Sequence, residues 1–138
     1  MSDYLDVLRH HTGKEGYVLH PDELDECCAR YPDVVCALFA AACTIAAADA
    51  QIAMLNRAAN LLCDVHADGD IHHVLSLRER LDRVADALIR ALAWRDKATA
   101  RLRQACDALT DLGTGLLTRS GDHTPAADQP GGGTPATP

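Results

Sequence analysis

The chain has 138 residues, with 13 Lys or Arg against 20 Asp or Glu, a net charge of −7 and an apolar fraction of 48%. That length suits one domain, since domains typically run to about 100–200 residues, and so large an apolar fraction excludes a wholly disordered chain. The aromatics are only Tyr4, Tyr17, Tyr31, Phe39 and Trp94, while Ala and Leu crowd the middle of the chain, so the composition predicts an all-α fold packed by aliphatic side chains and excludes a β-sandwich.

The first short helix is predicted over residues 3–11, capped by Ser2 and ended by Thr12 and Gly13. A loop follows to His20, in which Tyr17, Val18 and Leu19 have strand character but no evident partner strand. Pro21 opens a second short helix over residues 22–30, whose acidic start (Asp22, Glu23, Asp25, Glu26) suits the positive end of a helix dipole.

Tyr31 and Pro32 break that helix and start a long one over residues 33–66, because Pro fits the first helical turn and disfavours helix in the residue before it. Its apolar positions, from Val34, Leu38, Ala41 and Ile45 through to Leu62, step by three and four without a miss, which is heptad spacing. A tight polar turn at Ala67–Asp70 leads into a second long helix over residues 71–112. There Val74, Leu77, Leu81, Val84, Leu88 and Ala91 continue the same stepping toward Leu116, with Arg95 the only polar member. Two heptad helices joined by so short a turn fold back on each other as an antiparallel hairpin. Arg95 is expected near Ala41 and Ala42, its stem packed and its head reaching water. Gly113 and Gly115 end the helical domain (residues 1–117), and residues 118–138, rich in Pro, Gly and Thr, are expected to form a disordered tail.

A single partner helix buries one stripe of its neighbour, roughly a hundred degrees wide. Between Val34 and Ala48 every face is apolar or small, with Cys36, Ala37, Ala40 and Cys43 turned from the seam, and Leu75, Ala85, Ile89 and Leu92 widen the stripe of the second long helix. The sequence therefore predicts more apolar surface than one hairpin can cover, and with it self-association into a bundle or docking on a protein partner. Val35, Phe39, Cys43, Ile89, Leu92, Trp94, Arg90, Lys97 and Arg101 are the expected interface residues.

Charge is uneven: residues 1–33 carry 3 basic and 8 acidic groups, residues 71–117 carry 8 and 6. Arg80, Arg83, Arg90, Lys97 and Arg101 fall on one helical face with Trp94 at its edge. Such a face can form surface ion pairs, bind a protein, or contact nucleic acid or another anion; one Trp is a poor stacking platform and the chain is acidic overall, so nucleic acid is the lesser expectation. His66, His72 and His73 gather near Asp64, Asp68 and Asp70 at the turn, which allows a metal or pH-sensing site, although the spacing fits neither a zinc motif nor a calcium loop. His20 with Cys27 and Cys28 is a weaker metal candidate. No glycine-rich phosphate loop, nucleophile elbow or HExxH is present, so no enzyme activity and no cofactor are expected.

Met1–Leu8 holds Asp3 and Asp6 and has no basic region leading into an apolar stretch, so export is not expected and the cytoplasm is. The longest apolar run, Val34–Ala48, is shorter than the roughly 20 residues of a membrane span, so a buried helix is expected there. The six cysteines are expected to stay reduced, with Cys27 and Cys28 the most reactive pair.

Overall fold

The computed structural model describes residues 2–65 and 71–120. The elements are α1 (Ser2–Lys14), β1 (Tyr17–Leu19), a 3₁₀ turn (Pro21–Glu23), α2 (Leu24–Arg30), α3 (Pro32–Val65), α4 (Ile71–Asp111) and β2 (Leu117–Arg119). The fold is all-α, with α3 and α4 packed together as a helical hairpin and one antiparallel pair of short strands. Pro32 does open α3, directly after Tyr31 has closed α2 by donating its N–H to the Cys27 carbonyl. The expected turn at Ala67–Asp70, and the tail from residue 121 onward, lie outside the described residues.

The chain divides into two compact units. The first takes in α1, β1, α2, residues 32–42 of α3, residues 101–111 of α4, and β2. Leu8, Leu38, Leu102, Leu109, Leu116 and Leu117 are its fully buried side chains of largest volume, joined by Thr12 and Cys106. Thr12 is accommodated there because its hydroxyl donates to the Leu8 carbonyl at 2.8 Å, so no buried polar group is left unsatisfied at that point.

Two local differences from the sequence expectation shape this unit. The first helix continues past Gly13 to Lys14, and the left-handed residue that releases the chain is Gly16, with φ +88°. At the other end α4 stops in a Schellman arrangement: Gly113 at φ +70° donates to the Thr110 carbonyl at 3.0 Å, and Thr114 donates to the Leu109 carbonyl at 3.4 Å. The chain then reverses, and Leu117–Arg119 forms a strand, so that Thr118 and Arg119, expected in the tail, belong to the folded unit. The strand pairs antiparallel with β1 in the register Tyr17↔Arg119, Val18↔Thr118, Leu19↔Leu117. Bonds from the His20 N–H to the Leu116 carbonyl and from the Ser120 N–H to the Gly16 carbonyl, both 2.8 Å, extend the ladder. Pairing buries Tyr17, Leu19 and Leu117, which three-residue strands could not achieve singly.

The second unit, Cys43–Ala100, is the distal part of the hairpin. Its buried hydrophobic residues are Ile45, Ala48, Ala91 and Ala98, among the described residues. The remaining seam positions, such as Ile52, Leu55, Leu81, Val84 and Leu88, are only half-buried, as two helices with no third neighbour among the described residues leave them. Arg95 lies beside Asp49, its Nη1 3.4 Å from Oδ1, two helical turns beyond the expected Ala41 and Ala42. The register of the returning helix places a carboxylate where a small side chain was expected.

Candidate interaction surface

Around α4, at 100° per residue, three stripes run along the second unit. The seam positions Leu77, Leu81, Val84, Leu88, Ala91, Arg95 and Ala98 face α3. About 110° to one side lie Arg78, Asp82, Ala85, Ile89, Leu92 and Asp96, again stepping by four and three. On the other side lie Arg83, Arg90, Trp94 and Lys97.

The apolar members of these flanks are open to solvent. Ile89 is 65% exposed, Leu92 39% and Trp94 42%, and on α3 Met54 and Leu61 are 56% and 63% exposed. Single exposed hydrophobics are ordinary on a protein surface, but Ile89 and Leu92 are three residues apart on one helical face and so form a patch. Met54 and Leu61, seven residues apart, share the face of α3 turned from α4. That face continues the small residues Ala47 and Ala50, both exposed.

The basic flank borders a groove of about 300 Å³ lined by Gln51, Ala87, Arg90, Ala91 and Trp94. Arg83 reaches Glu79 at 4.0 Å, an exposed pair one turn apart, worth a few tenths of a kcal/mol at most. Arg90 and Lys97 are likewise exposed, as is Arg101 in the first unit. Thus Ile89, Leu92, Trp94, Arg90, Lys97 and Arg101 stand on the surface. Phe39 and Cys43 are half-buried, and Val35, at 3% exposure, is already a core residue of the first unit and offers nothing to a partner.

The polar clusters of the first unit have structural employment. The Tyr17 hydroxyl donates to the Asp107 carboxylate, which also accepts from Arg119 Nη2 at 3.3 Å, and the Arg119 guanidinium lies over the Tyr17 ring at 6.0 Å. Burial and the neighbouring Asp107 carboxylate raise the Tyr17 phenol above its ordinary range. Arg103 is hydrogen-bonded to Glu15, and His20 Nε2 lies 2.9 Å from the Thr118 hydroxyl. These contacts fasten α1, β1 and β2 to the end of α4. His20 is therefore engaged with β2 and not with the cysteines.

The thiols divide the same way. Cys28, Cys36 and Cys63 are exposed and Cys43 is half-buried, whereas Cys27 and Cys106 are buried, all of them unbridged. Burial pushes the Cys27 thiol up, with the bonded Thr114 hydroxyl acting in the opposite sense. Burial pushes Cys106 up to about 12. Of the pair expected to be reactive, only Cys28 is accessible; Cys27 sits on the inner face of α2, where its thiol is kept protonated and covered.

Among the described residues no group of three or more His, Cys, Asp or Glu side chains could hold a metal ion. His66, Asp68 and Asp70 of the turn cluster lie outside the described residues, as do the side chains of His72 and His73. By length and composition alone α3 is apolar enough to cross a membrane over Pro32–Asp64, with a third of its most apolar stretch buried in the chain; the fifteen-residue run had underestimated it because the helix continues through Ile52, Met54 and Leu55.

Neither protein-family models, nor curated proteins, nor solved structures give a match to this chain.

Proposed function

We propose that the protein is a non-enzymatic helix–helix interaction module, a structural, adaptor or chaperone-like assembly component whose hairpin completes a bundle by self-association. The observation that carries this reading is the state of the second unit: a half-buried seam with Ile89, Leu92, Trp94, Met54 and Leu61 exposed around it. Burying apolar surface is favourable by roughly 25 cal/mol per Å², and further helices are the covering that matches long parallel stripes.

The apolar character of α3 is read as a bundle face and not as a membrane span because α4 packs along it. With 8 basic and 6 acidic residues between Ile71 and Asp111, α4 has no place in a bilayer. Light scattering across the micromolar range tests the proposal: oligomers are expected, and a monomer at every concentration would overturn self-association.

A second reading rests on the exposed Arg83, Arg90, Lys97 and Arg101 and on the groove at Trp94: a contact with an anionic partner, nucleic acid included. Binding of this kind weakens steeply with salt, so a salt titration with a short nucleic-acid duplex separates it from an apolar contact.

A further inference from the structure

We infer that the flank of α4 bearing Ala85, Ile89 and Leu92 is a two-fold dimer surface. A second copy of the chain packs on it antiparallel, in the register that sets Arg78 of each copy against Asp96 of the other. This deepens the self-association reading and rests on it.

The stripe Arg78, Asp82, Ala85, Ile89, Leu92, Asp96 occupies an arc of about 80° on α4. Its end charges are placed symmetrically and are opposite in sign: Arg78 and Asp96 lie equally far before and after Ala87. An antiparallel two-fold pairing reverses the sequence about its centre, so a residue some distance before the centre meets the one equally far after it. Centred at Ala87, Arg78 meets Asp96 at both ends of the contact, Ala85 meets Ile89 twice in the middle, small against large, and Asp82 comes level with Leu92 but at the opposite edge of the stripe, where its carboxylate stays in water.

A parallel pairing would bring Arg78 to Arg78 and Asp96 to Asp96. Like charges disfavour it, so the same two residues select both direction and register. Both are exposed, and neither takes part in an ion pair among the described residues. Asp82, also exposed, lies at the edge of the stripe.

On α3, Gln51 lines the opposite groove with Arg90 and Trp94; across the seam from it, on the flank shared with Ile89 and Leu92, stand Asp49 and Asn56, with the small Ala46 and Ala53 behind them. From Arg78 to Asp96 the contact extends about 27 Å at 1.5 Å per residue, a length over which two hairpins form a four-helix bundle. The apolar centre supplies the affinity, and the terminal charges fix the arrangement.

Charge reversal tests the pairing by sedimentation equilibrium, with circular dichroism to verify that each variant keeps its helix content. Arg78→Asp alone and Asp96→Arg alone should each weaken the dimer about tenfold or more. Mixed in equal amounts, the two variants should form a one-to-one heterodimer of near-native affinity, because one copy then carries carboxylates at both ends of the stripe and the other carries guanidiniums, so each end of the contact joins opposite charges. Ile89→Glu should abolish dimerisation, and Leu61→Glu, on the far face of α3, should leave it intact. If oligomers persist in Ile89→Glu, or if the mixed variants associate no better than each alone, this surface or register is wrong while the interaction-module reading survives. A wild-type monomer at all concentrations overturns self-association itself.

Discussion

The two units of the chain use the same pair of helices and are packed in opposite ways. In the first, residues from α1, both strands, α2, α3 and α4 close around Leu8, Leu38, Leu102, Leu109, Leu116 and Leu117. In the second, among the described residues, α3 and α4 have only each other, and Ile45 is the largest of the buried hydrophobic side chains. The difference teaches what a long helix pair lacks by itself: short elements folded against α3 and α4 bury large leucines, whereas the same helices elsewhere leave Ile89, Leu92, Met54 and Leu61 exposed, and the proposed association would draw on that surface.

Thiol chemistry should separate the two most widely. Burial covers Cys106 and pushes its thiol up to about 12, so at pH 8 it is held in the unreactive thiol form. Cys63, exposed in the hairpin, should react with a thiol reagent within the native state, and the buried Cys106 and Cys27 only after denaturant is added. Rapid labelling of Cys106 in the native protein, read by mass spectrometry, would mean that the first core opens readily.

Packing gives the next contrast. Leu109→Ala, at a fully buried site, should lower unfolding free energy by about 2–5 kcal/mol. Leu81→Ala, at a half-buried seam position, should lower it by about 1–2 kcal/mol. Urea denaturation at a concentration where the chain is monomeric measures both, and equal losses would erase the distinction between the units.

Smaller effects attach to single polar contacts. Tyr17→Phe removes the hydrogen bond to Asp107 and should cost about 1 kcal/mol. Because the folded state raises the Tyr17 phenol above its unfolded value near 10, its contribution is complete below that pH and is lost as pH rises through the folded value. Alkaline unfolding monitored by phenolate absorbance should shift accordingly, and Tyr17→Phe should remove that component. Arg95→Leu should change stability by no more than about 0.5–1 kcal/mol, since its pair with Asp49 is partly exposed. A polar residue in an apolar seam also specifies register, so a wild type of one defined size should give way to mixed oligomers in this variant.

The helices were legible in the sequence because each carries its own signals: the three-and-four stepping of Leu38 to Leu62 and of Leu77 to Leu102, and the Tyr31–Pro32 break. What escaped was set by contacts between distant segments. Leu117–Arg119 is too short to show alternation, and its partner, joined by such bonds as His20 to Thr118, lies about a hundred residues earlier. The neighbour of Arg95 escaped for a related reason, since heptad spacing fixes which face meets the partner but not which turn. For the candidate surface, Ile89, Leu92 and Trp94 stood out as apolar residues beside the seam, whereas Val35, one residue off the seam position Val34, did not reveal its burial because the seam spacing alone predicts only one covered stripe.

The clasp between β1 and β2 leaves the length of the hairpin unconstrained by the core that anchors it. Both strands and the residues they bury belong to the first unit, so excising one heptad from each arm, within Cys43–Ala100, would keep seam facing seam and leave the clasp untouched. Hairpin length is thereby a dimension that insertions and deletions can tune in matched steps.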